Sequence, residues 1–225
     1  MDTPNRAEPG AVFHRSFPMT FNLRAGALAL AIMAAASGTA WADAYQDGMT
    51  AFQSEDYGKA ITLLMPYAKE GNAEAAYLLG EMYGPRSWGQ KGENRNGVEQ
   101  DNKQAIYWWG EAAKLGNSEA QLKLGWWLMK GKDVVKQDQA AGMNWLLMAA
   151  NQGEPQAQYE VGLAYWKGRG VKPDPIAAYM WLDLCSGEPG FDNAVNYRDE
   201  IAKGMTAEQV KQAQLMVQAF TPKKK

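Results

Sequence analysis

Apolar and polar positions along the middle of the chain repeat one arrangement three times. "GNAEAAYLLGEMY" at 71–83, "GNSEAQLKLGWWL" at 116–128 and "GEPQAQYEVGLAY" at 153–165 superpose without gaps. Each opens on a glycine, places an alanine four residues later (Ala75, Ala120, Ala157) and a second glycine five further on (Gly80, Gly125, Gly162). At about 100° of turn per residue, Ala75, Leu79 and Tyr83 fall on one side, so each stretch predicts an amphipathic helix. A second pattern follows each of the three, in "NGVEQDNKQAIYWWGEAAKLG", "DVVKQDQAAGMNWLLMAANQG" and "RGVKPDPIAAYMWLDLCSGEP". There Val98, Val135 and Val171 precede Asp101, Asp138 and Asp174 by three residues, and Trp108, Trp145 and Trp181 come seven residues after the aspartates. Trp108 and Trp145 lie 37 residues apart, Trp145 and Trp181 36. A period of this length holding two helical segments marks a helical solenoid.

The repetition disposes of one tempting reading. "GRGVKPD" (168–174) has the look of a glycine-rich phosphate loop, but "RNGVEQD" and "GKDVVKQD" stand in the same place in the other copies. A phosphate cradle needs Ser or Thr after its lysine, and here Lys172 is followed by Pro173. Gly168 and Gly170 instead predict a tight turn, and Asp174 is placed to cap the helix that follows.

These residues resemble the Sel-one-like repeat family, close kin of tetratricopeptide repeats. The family pattern runs A-x-x-x-L-G-x-x-Y, a G-x-G-V-x-x-D loop, then A-x-x-W-x-x-x-A-A-x-x-G. Ala75, Leu79, Gly80 and Tyr83 match it, as do Ala157, Gly162, Tyr165, Gly168, Gly170 and Val171, and Ala105, Trp108, Ala112, Ala113 and Gly116 complete the first copy. The middle copy departs with Leu128 for the tyrosine and Gly142 for an alanine. The resemblance implies an all-α fold: a right-handed α/α solenoid of helix pairs with a C-terminal helical cap. A shorter copy occupies 44–72, where Gly48, Ala60, Leu63, Ala68 and Gly71 hold the equivalent places. Three longer pairs are expected at 73–117, 118–154 and 155–190, and capping helices at 191–220. Thr206 and Gln209 form a capping-box pattern, and the "MT-x-EQ" segment around them is similar to the family's ending. A basic tail, 221–225, completes the chain. Gly80 to Ala105 spans 25 residues against 16 from Gly162 to Ala178, so the first long copy carries an insertion, 84–96, containing Trp88.

The N-terminal region has a different character. Arg24, an apolar run from Ala25 to Ala36 and "AWA" before Asp43 make up a secretory signal pattern, with cleavage expected after Ala42. The run is shorter than the roughly 20 residues a bilayer span needs, so no stable membrane insertion is expected after cleavage. The polar residues before Met19 suggest that Met19 is the true start. No cysteine sits at the cleavage point, which argues against lipid attachment.

Composition then narrows the chemistry. The chain carries a net charge of −2, one histidine and one cysteine. Residues 1–42 contain Asp2 and Glu8, three arginines and that histidine, His14, so the mature chain would carry −3 and no histidine. Ser-His-Asp and Cys-His catalysis are thereby excluded, and no metal, cofactor or catalytic residue is expected. Cys185 stands where Ala112 and Ala149 stand in the other copies, which predicts an inert packed thiol. No clustered basic surface suggests nucleic acid.

A partner site is sought on the side of the first helices away from the core. The residues two and six after the motif alanine are Tyr77 and Glu81, Leu122 and Trp126, Tyr159 and Leu163. Five of the six are apolar where water would be expected, a candidate interaction face; burial by adjacent repeats is the structural alternative. In solenoids of the family these helices line the concave surface, which implies a peptide or helix partner. Candidate partner-binding residues are therefore Tyr77, Leu122, Trp126, Tyr159 and Leu163, together with Trp88 in the insertion. The resemblance implies an exported, periplasmic, non-catalytic scaffold or regulator binding a protein. It leaves two other roles open: an immunity-type protein neutralising a toxin, and a β-lactamase-like or peptidoglycan- and carbohydrate-binding repeat protein. The β-lactamase role lacks paired cysteines, and no S-x-x-K occurs after residue 42.

Overall fold

The structure is a computed structural model that describes residues 38–85, 96–131 and 134–223. The expected signal segment up to residue 37, the insertion residues 86–95 with Trp88, and Lys224 and Lys225 lie outside the described residues. Ten helices and no strand occur among the described residues: α1 (Gly38–Gln53), α2 (Tyr57–Lys69), α3 (Ala73–Tyr83), α4 (Asn102–Lys114), α5 (Ser118–Lys130), α6 (Gln139–Asn151), α7 (Pro155–Lys167), α8 (Pro175–Cys185), α9 (Asp192–Ala202) and α10 (Ala207–Ala219). From α1 to α9 successive helices pack on one another down the chain, forming an α/α solenoid of helix pairs.

The repeated residues set the boundaries. Asp101, Asp138 and Asp174 each accept backbone N–H groups of the first turn of α4, α6 and α8. A capping side chain of this kind satisfies donors that the helix leaves unpaired. The same aspartates donate their own backbone N–H to Tyr83, Leu128 and Tyr165, at 2.9, 2.9 and 3.1 Å. Side-chain bonds thus start the following helix, and one backbone bond ties each loop to the end of the preceding one. The capping box at Thr206 and Gln209 forms with both of its bonds.

Close approach explains the second glycine of the motif. A Cβ on Gly80 would stand 2.3 Å from the ring of Trp109, one on Gly162 2.7 Å from Leu182, and one on Gly125 2.9 Å from both Leu146 and the Gly142 carbonyl. The residue after each motif tryptophan is therefore a knob, and the glycine is the notch that admits it. Gly142 makes the middle pair tighter, because α5 and α6 there meet backbone to backbone. The departure of the middle copy from the repeat pattern is a matched change on two helices.

Buried residues fall into three clusters: the largest runs from α1 to α5, the second through α6, α7 and α8, and the third joins α7 and α8 to α9. Trp108 and Trp181 are buried, whereas Trp145 is half-buried against the first cluster. Cys185 is fully buried, its thiol donating to the Leu182 carbonyl at 3.3 Å. Burial pushes that thiol up to about 12, so it stays protonated and unreactive at neutral pH. Two buried glutamines bind the stack together. Gln121 and Gln158 donate to the carbonyls of Ala113 and Ala150 on the preceding helix, and Gln152 donates to the Gln121 side chain at 2.8 Å.

The C-terminal helices play different parts. α9 packs beside α7 and α8, and its Ala194 and Ile201 complete the third cluster. Arg198 fastens it, donating to Asp183 at 2.6 Å. α10 instead lies against α8, where Phe220 meets Trp181 edge-on at 5.6 Å. The chain then runs back to the α6–α7 turn, where the Lys223 N–H donates to the Asn151 carbonyl at 2.8 Å.

Candidate interaction face

The first helices of the long pairs, α3, α5 and α7, stand side by side. Asn117, the N-cap of α5, reaches Glu74 on α3 at 3.3 Å, and Lys123 on α5 ion-pairs with Glu81 on α3 at 3.0 Å. Glu81 also accepts from the Trp109 indole at 3.1 Å, and the Lys123 ammonium stands 5.6 Å from the centre of the same ring. The carboxylate therefore joins the knob of one pair to the leading helix of the next.

The predicted stripe divides in two. Tyr77, Leu122 and Trp126 are half-buried and keep part of their surface in water. Leu122, Lys123, Trp126 and Gln156 line a recess of about 250 Å³ between α5 and α7. The Lys130 ammonium stands 5.5 Å from the Trp126 ring centre, so one aromatic face already meets a cation.

Tyr159 and Leu163 lie elsewhere. Leu163 is buried, only 9% exposed, in the cluster with Leu182, Ala194 and Ile201. Tyr159 packs against Phe191 and Tyr197, and Trp166 meets Tyr197 at 5.4 Å. The outward placement expected for Leu163 is thus corrected: α9 occupies the next position in the stack and covers that end of the stripe. A helix in a solenoid has neighbours on more than one side, so the direction opposite its core is not automatically water.

The first turns of the same helices hold glutamates that the stripe did not include. Glu74 and Glu119 stand in the first turns of α3 and α5, and Glu154 is the residue preceding α7. The Glu74 and Glu154 carboxyls are held above the usual carboxylate range, first by burial and then by the charge of Glu119. The Tyr77 phenol is pushed up as well, by burial and by Glu81, Glu119, Glu74 and Glu154 in that order. The three helices therefore assemble one acidic rim. A sequence signal for it exists, since Glu74 and Glu119 both lie three residues after a motif glycine, but it carries no information on which side chains meet.

Among the described residues no group of three or more His, Cys, Asp and Glu is arranged to hold a metal ion, and no helix is long and apolar enough to cross a membrane.

A family model described as Sel1 repeat matches residues 73–117, 118–154 and 155–184. No curated protein matches the chain. Among solved structures the chain is similar to c5321, a protective antigen present in uropathogenic Escherichia coli strains displaying an SLR fold. The two are 30% identical with a TM-score of 0.65 over 80% of this chain. The match takes in 38% of the antigen, so this chain spans well under half its length. A Sel1 repeat protein from Oxalobacter formigenes is 31% identical, with a TM-score of 0.52, over 61% of this chain and 95% of that one.

Proposed function

Because the chain belongs to the Sel1 repeat family, whose repeats generally mediate protein–protein interaction, we propose that it is a non-catalytic scaffold holding a protein or peptide partner on its α3–α5–α7 face. The observation that carries this reading is the recess between α5 and α7, with the half-buried ring of Trp126 as one wall. A half-exposed tryptophan beside a recess has the makings of an interface anchor, because binding energy concentrates in aromatic side chains that a partner buries. No Ser-His or Cys-His pair is available after residue 42, and the one remaining thiol is buried and protonated.

The partner is sought by affinity purification with mass spectrometry, followed by titration of variants confirmed to be folded. Trp126→Ala is expected to weaken binding at least about tenfold, or about 1.4 kcal/mol. Full affinity in Trp126→Ala with loss in Trp88→Ala would transfer the site to the insertion. Loss in neither would remove the support for this face.

The proposed location is the periplasm, after cleavage at Ala42. Intact mass measurement of the exported protein checks it: retention of Ala25–Ala36 would contradict the proposal.

A further inference from the structure

Resting on the face proposed above, the geometry points to one class of occupant: a partner segment carrying a lysine or arginine next to an apolar side chain. The recess at Leu122 and Trp126, about 250 Å³, has room for one aliphatic or aromatic side chain. Acidic groups border the same face. Glu74, Glu119 and Glu154 belong to the leading ends of three neighbouring helices, and the 3.3 Å contact between Asn117 and Glu74 brings two of those ends together. Glu81 has its own lysine, Lys123. No lysine or arginine among the described residues forms an ion pair with Glu74, Glu119 or Glu154.

Each glutamate alone has a local explanation, because a carboxylate in the first turn of a helix, or at the residue just before it, interacts favourably with the helix dipole. That explanation does not require three of them to share one side of the stack, where their repulsion works against the fold. A cation seated among them would relieve the repulsion through charge-assisted hydrogen bonds. An acidic or phosphorylated segment would be repelled from the same place. The Trp126 ring, one face of which already carries Lys130 at 5.5 Å, serves the apolar side chain of the segment, and the cation is left to the glutamates.

The test is a selection from a random 12-residue peptide library on the immobilised full chain, followed by titration of the enriched peptides. The wild type is compared with the Glu74→Gln, Glu119→Gln, Glu154→Gln triple variant and with Trp126→Ala, each verified as helical by circular dichroism. The expected peptides pair Lys or Arg with an adjacent aliphatic or aromatic residue. They should lose at least about tenfold in affinity in both variants. They should also weaken when salt is raised from about 0.1 M to 1 M, which shortens the screening length from about 10 Å to about 3 Å. Neutral or acidic peptides that bind the triple variant normally but lose affinity in Trp126→Ala would overturn the charge assignment and leave the face intact. Peptides indifferent to both variants would overturn the face as well. An empty selection would overturn the proposal of a short basic segment.

Discussion

Trp109 shows how much one side chain does in this molecule. It is 1% exposed, fills the notch at Gly80 and donates its indole N–H to Glu81. Trp109→Ala should therefore cost about 3–5 kcal/mol, the usual range for truncating a large core aromatic. Trp126→Ala should cost clearly less, because that ring is only partly buried at the edge of the first cluster, and paired chemical denaturation measures the difference. Glu119 contributes in the opposite direction. Burial first, and then its charge, raise both Glu74 and Glu154, so their protonated forms are favoured by folding. That contribution is fully present below the ordinary carboxylate pKa and is lost as pH rises through the raised values. Glu119→Gln should raise the melting temperature at pH 7 by on the order of 1 °C, as suits a partly solvated charge. The gain should fade towards pH 4, where the glutamates take up protons in either protein, and melting curves at the two pH values decide this. Some of these residues were legible and others were not. Asp174 announced itself as a cap because capping depends on neighbours in sequence, and Asp101 and Asp138 hold the same place in the other copies. The notch glycines were visible as a repeat, but their knobs change identity between Trp109, Leu146 and Leu182, so no shared letter marks them.

At the level of elements, the helices follow from periodicity and caps, while the roles of the last two do not. Nothing in the "NAVNYRDEIAKG" stretch states that it will stack beside α7 and cover Tyr159 and Leu163. Only the position left vacant by the preceding pair determines that. The acidic rim was illegible for the same reason: Glu74, Glu119 and Glu154 are tens of residues apart and meet only once α3, α5 and α7 are stacked. α10 has a measurable task. It brings Phe220 against Trp181 and Val217 against the second cluster, and its continuation reaches Asn151. Phe220→Ala should destabilise by at least about 1 kcal/mol, given the value of an aromatic pair beyond its buried area. The loss should be local. Hydrogen exchange is expected to speed up in α8 and at the α6–α7 turn while α3 and α4 keep their protection, and a uniform increase along the chain would contradict the assignment.

In the whole molecule, stability is a sum of neighbouring interfaces, as in any solenoid, and those interfaces are not alike. From α1 to α5 the core is one continuous cluster, and a second takes over at α6. The helices on either side of that change, α5 and α6, meet at Gly125 and Gly142, where added methyl groups would strike backbone on both sides. Elsewhere a bulky side chain is keyed into its notch and resists sliding. Here Leu146 fills the notch at Gly125 and the two backbones also meet at Gly142, so the pair has little room to slide. The pair that carries Leu122 and Trp126 is thus locked twice, by a side chain and by backbone, and it behaves as one plate in the stack. A ligand seated on α5 would therefore meet a pre-set surface there, so little of its binding free energy would be spent on reshaping that pair.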